Sequence, residues 1–187
     1  MSNLATAIPT IWQPHTQQHA YRQLMQAFAN PGQIETLDED ALLLTLATLL
    51  DGATSIADVH GLISELDLAR LETVNAATET AHFVLAEGGQ VPAFTPSLGT
   101  LESPEGGATL LLTVTAFNDG TPYTLSGPGV DGARNVTLQG LNPAWLDARE
   151  SWNAAFPMGV DIVLLAGKQV MALLRTTKIS TTSIKGA

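Results

Sequence analysis

FPMGVDIVLLAGKQVMALLRTT, residues 156–177, holds two apolar runs, 160–165 and 170–174, separated by Ala166-Gly167-Lys168-Gln169. Runs of that length around a short segment containing Gly read as antiparallel strands joined by a tight turn, a β-hairpin. Counting back equally from a turn centred at Gly167-Lys168 sets Asp161 opposite Leu174 or Arg175, so an acid and a base meet at the open end. Two readings of that end stand side by side. Asp161 and Arg175 form a cross-strand ion pair that fixes the register. Alternatively, the planar five-donor guanidinium of Arg175, followed by the hydroxyls of Thr176 and Thr177, suits an oxyanion such as phosphate or phosphonate. On the residues alone the structural pair is the simpler account.

Around this hairpin lies a chain of 187 residues, 45% hydrophobic and 14% charged, with 16 Gly and 10 Pro. Such a length and composition predict one domain, 1–187, of compact α/β character with many short connections. The formal net charge is −10, with 8 Lys and Arg against 18 Asp and Glu, which argues against nucleic-acid and membrane-surface partners. Cysteine is absent, so this chain supplies no disulfide, thiolate nucleophile or Cys-held metal cluster. The start, MSNLATAIPTIWQ, lacks a signal-peptide pattern, and no apolar run reaches membrane-spanning length, so a cytoplasmic location is expected.

Along the chain, residues 15–29 predict a helix with Tyr21, Leu24, Met25 and Phe28 on its apolar face and His15, His19 and Arg22 opposite. Two His at i, i+4 can ligate a metal, but no third ligand is evident, so no metal site is assigned. Residues 36–50 read as a second, largely buried helix opening on Asp38, Glu39 and Asp40. A strand at 55–59, a helix at 61–72 and a strand at 81–86 follow, with His82 read as a hydrogen-bonded structural residue. Residues 87–107, rich in Gly and Pro, form a long irregular segment, and such segments are often functional. Residues 108–117 predict a central strand, Asn118-Asp119-Gly120 a turn, and 123–125 a returning strand that ends in Ser126-Gly127-Pro128-Gly129. At Gly127 and Gly129 the backbone can approach a ligand closely, although a structural turn explains the same residues. A helix from Asn142-Pro143 to Asn153, with Trp145, Leu146 and Trp152 inward, leads to the hairpin, and residues 180–187 read as a frayed tail.

No nucleophile elbow, dinucleotide fingerprint, phosphate-binding loop or spaced Ser/His/Asp set is present, and no Lys is evidently placed for Schiff-base chemistry. The catalytic residues, if any, stay unassigned. Five segments, taken in order, are nonetheless specific: HAYRQLMQAFANPG at 19–32, Ala81-His82-Phe83, GTLESPEGGATLLL at 99–112, LSGPGV at 125–130, and the hairpin itself. Together they resemble the H subunit of the bacterial carbon-phosphorus lyase core complex, with Leu174 where that family usually carries proline.

The resemblance implies a subunit that joins the G and I subunits, with the L subunit, in forming a ribose 1-phosphonate 5-triphosphate from a nucleoside triphosphate and an alkylphosphonate. A separate radical subunit, of the J type, then breaks the carbon-phosphorus bond. It further implies a homodimer when isolated. The implied fold is a mixed β-sheet with flanking helices, similar to a reduced large domain of the pyridoxal-phosphate-dependent transferases without that cofactor. A cleft lined by Asp161, Arg175, Thr176, Thr177 and the Gly127 to Gly129 loop is the expected place for a nucleotide or phosphonate, with Arg22 and Arg134 as further candidate cations. A non-catalytic assembly module with no ligand site is the alternative, and an independent small-molecule hydrolase or transferase is a third reading.

Overall fold

In the computed structural model, which describes residues 8–181, a seven-stranded sheet divides the apolar interior into two layers. The first half of the chain contributes α1 (Pro14–Ala29), β1 (Glu35–Thr36), α2 (Ala41–Leu49), β2 (Ser55–Asp58), α3 (Glu65–Leu71), β3 (Val74–Asn75) and β4 (Phe83–Glu87). The second half contributes β5 (Thr109–Thr113), β6 (Ala116–Ser126), β7 (Arg134–Gln139), α4 (Ala144–Trp152), β8 (Asp161–Ala166), β9 (Gln169–Leu173) and β10 (Lys178–Thr181). The large sheet runs β1-β9-β8-β5-β4-β2-β3 and the small one β10-β6-β7. In the large sheet β3, β2, β4, β5 and β8 are parallel, and β9 runs antiparallel to both its neighbours. The predicted α/β class, a mixed sheet with flanking helices, is what the chain forms.

The central strands are unbroken apolar runs because both faces of the sheet are covered. Leu110, Leu112, Ile162, Leu164, Met171 and Leu173 point toward the small sheet and Trp145 of α4. The alternate residues, Leu111, Val163, Leu165, Val170 and Ala172, pack on Ala20, Leu24 and Ala27 of α1 and on Leu44 and Leu46 of α2. A one-residue slip of β8 would exchange the two sets, so burial on both faces fixes the register.

The predicted hairpin forms as β8–β9. Ala166 pairs with Gln169 across Gly167-Lys168, and Ile162 pairs with Leu173, which leaves Asp161 facing Leu174. His82 is hydrogen-bonded as expected, its Nδ1 accepting from the Ser55 N–H at 3.1 Å. Glu87 closes β4, and residues 88–107 are irregular except for a 3-10 turn at Pro104–Gly106 and a bridge between Leu98 and Gly107.

Other expectations need correction. Residues 116–126 are one strand, not two arms around a turn, because Asn118 and Gly120 take φ of 63° and 87° and form a bulge, with Phe117 and Thr121 both opposite Leu138. Residues 134–139, which carried no strand expectation, pair with β6 as β7. The second helix starts at Ala41, not at residue 36, because Asp40 caps it by accepting from the Leu43 N–H at 3.0 Å, while Glu35 and Thr36 pair with β9. The third starts at Glu65, capped by Ser64. On α1 the buried line is Thr16, Ala20, Leu24 and Ala27, and Tyr21 and Met25 lie outside it, 50% and 42% exposed. Ser180 and Thr181, expected to fray, pair with Thr124 and Tyr123. The rest of that tail, and residues 1–7, lie outside the described residues.

Replacing Gly120 tests the bulge: an added Cβ would stand 2.8 Å from Gln139 Cα in a backbone conformation that L side chains avoid. Gly120→Ala should lower unfolding stability by about 2 kcal/mol in a urea titration.

Candidate functional site

Four elements converge where the chain leaves the large sheet for the small one. After β9 it turns through Leu174, Arg175, Thr176 and Thr177, closed by the Thr177 N–H donating to the Leu174 carbonyl at 2.9 Å, and enters β10. Asp161, the first residue of β8, faces this corner. Its Oδ1 accepts the Arg175 backbone N–H at 2.6 Å, and its Oδ2 accepts from Nε at 3.2 Å and Nη2 at 2.9 Å. The Nη1 of Arg175 donates to the Pro104 carbonyl at 2.9 Å and the Pro157 carbonyl at 3.0 Å. Four of the guanidinium's N–H groups are thus engaged within the chain, tying two loops to the sheet end. The arginine and aspartate side chains are only 15% and 19% exposed, so their pairing acts in a largely desolvated setting. Gly107 sits under the guanidinium, where an added Cβ would stand 3.3 Å from Nη2.

A second arginine, which belongs to none of the sequence motifs, grips the same corner from α4. Arg149 is 6% exposed, and its Nη2 donates to the Leu174 carbonyl and, at 2.9 Å, to the Thr177 carbonyl. Burial pushes this guanidinium below its ordinary pKa, and nearby Asp161 acts in the opposite direction. A usable signal lay in the spacing. Trp145, Arg149 and Trp152 fall on one face of α4 at i, i+4 and i+7, so an arginine stands in the stripe that the two tryptophans bury. Phe94, from the long irregular segment, stacks on Trp152 and meets Trp145 at a tilt, and Trp145 Nε1 donates to the Gln90 carbonyl at 2.7 Å. Asn153, at the end of α4, exchanges two hydrogen bonds with the Val160 backbone and so fixes the helix to the start of β8.

Two hollows flank the corner. One, of about 470 Å³, lies between α4 and β10 and includes Arg149, Asn153, Arg175, Thr177 and Lys178. The other, of about 400 Å³, opens on the side of Pro104, Phe156, Pro157, Asp161 and Thr176. The hairpin residues predicted from sequence therefore do gather at one place, divided between two hollows. Gly127 stands beside them, since a Cβ on it would meet the Thr176 carbonyl at 2.9 Å, but it lines neither hollow. Gly129 faces elsewhere, against Ala29 and Pro31 at the end of α1. Arg134 donates to the carbonyls of Asn30 and Pro31, at 3.1 and 2.8 Å, and serves that same junction. Arg22 is exposed on α1, which packs on the opposite face of the large sheet from α4. His15 is exposed, and His19 is engaged by Asp38 at 2.9 Å.

Residues 10–180 match the family described as bacterial phosphonate metabolism protein, PhnH. The chain belongs to the PhnH family. Among its relatives is a protein of Stutzerimonas stutzeri, provisionally named as C-P lyase subunit HtxG, 45% identical over 186 aligned positions that cover 98% of this chain and 94% of its own length. Another, of Rhizobium meliloti strain 1021, is named alpha-D-ribose 1-methylphosphonate 5-triphosphate synthase subunit PhnH and is 32% identical over 178 positions, covering 87% of this chain and 89% of its own length. The resemblance read from the five segments is borne out, and the corner just described lies within the PhnH match.

Cutting the arginine tie leaves Asp161 and two carbonyls without their donor. Arg175→Met should cost about 3 kcal/mol in chemical denaturation. Arg175→Lys should recover only part of it, because an ammonium is a point charge that cannot reproduce the planar fork joining Asp161 to both proline carbonyls.

Proposed function

We propose that this chain works as the H-type subunit of a carbon-phosphorus lyase core complex in organic phosphonate catabolism. One observation carries the reading: the PhnH family match extends over residues 10–180. The names of the two relatives point the same way, one to a C-P lyase subunit and one to a ribose-methylphosphonate triphosphate synthase subunit. In the finer form of the proposal, the chain acts with G-, I- and L-type subunits to form an alpha-D-ribose 1-alkylphosphonate 5-triphosphate. A phosphonate oxygen bonds to C1′ of a nucleoside triphosphate, the N-glycosidic bond breaks, and the base leaves with its electron pair. The chain is one domain in this reading, a cytoplasmic homodimer when isolated, bound to a J-type radical subunit in the assembled core and inactive alone. A sheet in which β9 alone opposes its neighbours supports the further reading of a reduced transferase-like large domain that takes no pyridoxal phosphate.

The hairpin end favours support of the complex over chemistry in this chain. Arg175 has spent four donors internally, and a side chain so committed holds geometry better than it captures substrate. The two loops that it ties together display Leu101 and Phe156, 70% and 65% exposed, as apolar side chains suited to a partner surface. A non-catalytic assembly role is therefore the second reading, favoured by that exposure.

Reconstitution of the core with and without this chain, with base release from the nucleotide as the readout, tests the first. Release that is lost without the chain and restored by adding it is the expected result, and undiminished release in its absence would sink the proposal. For the second reading, Leu101→Asp and Phe156→Asp should fold normally yet lower recovery of the complex on co-purification, by about tenfold if these side chains are interface anchors. Recovery equal to wild type would remove both loops from the interface.

A further inference from the structure

We infer that the hollow between α4 and β10 is an oxyanion site, anchored by Arg149 and not by Arg175. Arg149 is 94% buried by its 6% exposure, and among the described residues no carboxylate lies within ion-pair distance of it. Its Nη2 is taken by the two corner carbonyls. Its Nε is buried with no partner, and its Nη1 makes no hydrogen bond among the described residues. A cation taken out of water, whose direct acceptors are all neutral and which the Asp161 carboxylate reaches only from beyond ion-pair distance, is still short of negative charge.

The neighbouring groups are short of the same thing. Thr177, 2% exposed on the wall of this hollow, keeps a hydroxyl with no hydrogen-bond partner among the described residues. Lys178, an exposed cation, also lines the hollow, and Arg175, with four N–H groups engaged, has one left. Two acids, Asp147 and Glu150, also border the hollow, but both are exposed to water, which screens them, whereas Arg149 is not. A tetrahedral oxyanion with several acceptor oxygens, a phosphate or a phosphonate, answers the whole set. An ordinary structural role for the corner needs neither the Thr177 hydroxyl nor the Lys178 ammonium.

The inference deepens the reading of this chain as a phosphonate-complex subunit, because it names where the anionic part of a substrate would lie. The two can fail separately, since one is read by base release in the assembled core and the other by binding to the isolated full chain. The test is calorimetric titration of the isolated chain with inorganic phosphate and with methylphosphonate, at ionic strength matched with sodium chloride. Thr177→Val removes a hydroxyl that bonds to none of the described residues, and Lys178→Glu alters an exposed residue, so both variants should unfold at or above the wild-type midpoint. Each should weaken anion binding by about tenfold. Preference for methylphosphonate would assign the site to the phosphonate, and preference for inorganic phosphate to a phosphoryl group. Absence of binding of either anion to wild type, or binding by both variants as tight as wild type, would overturn the inference.

Discussion

The α4 side of the large sheet depends on one crossover, in which residues 174–177 carry the chain from β9 into β10. A strand that leaves one sheet for another must bend, and at the bend its carbonyls lose their ladder partners. Here the Leu174 carbonyl is served by the Thr177 N–H and by Arg149, and the Thr177 carbonyl by Arg149. Asp161 takes the Arg175 N–H on the other side. The Arg149 guanidinium thus stands in for missing strand neighbours, while the Arg175 guanidinium ties Asp161 and the two proline loops to the same corner. Their planar arrays of donors explain why arginine, and not lysine, occupies both positions.

The two arginines differ in what balances their charge. Arg175 has Asp161 at 2.9 Å, and its remaining bonds to Pro104 and Pro157 draw the loops before β5 and before β8 onto the end of the sheet. Arg149 has only carbonyls as direct partners among the described residues, with Asp161 acting on it from farther off, and α4 is held in place from other directions, by the Phe94, Trp145 and Trp152 rings and by the Asn153 clamp on Val160. A charge left unbalanced inside a well-supported frame is where a ligand has most to contribute, since the frame bears the cost before the ligand arrives. In a PhnH-family chain, that locates interest in the α4 hollow and leaves the hairpin's own ion pair as architecture.

Much of the fold was legible because it was local or periodic. The β8–β9 hairpin follows from two apolar runs around Gly167-Lys168, and its arithmetic brought Asp161 to Arg175 correctly. The bulge at 118–120 was not, because Asn-Asp-Gly supports either a turn or a bulge, and the choice was made by β7, a strand too polar to announce itself. The exposed face of α1 was misjudged for a related reason. Tyr21 and Met25 are the bulkier side chains, but the helix approaches the sheet through Ala20, Leu24 and Ala27. Size on a helical wheel does not say which face meets a neighbour.

By itself the sequence determined the class of the protein, the hairpin, the meeting of Asp161 with Arg175, and the family, since these rest on short-range pattern and on motif order. Only the tertiary structure decided that Arg175 spends its donors on Asp161, Pro104 and Pro157, that Gly129 and Arg134 serve the end of α1, and that Arg149 lies buried beside an unpartnered Thr177 hydroxyl. The physical reason is the sequence distance involved. Arg175 and Pro104 are 71 positions apart, and hydrogen bonds across such a gap exist only once two sheets and a helix have packed to bring them together.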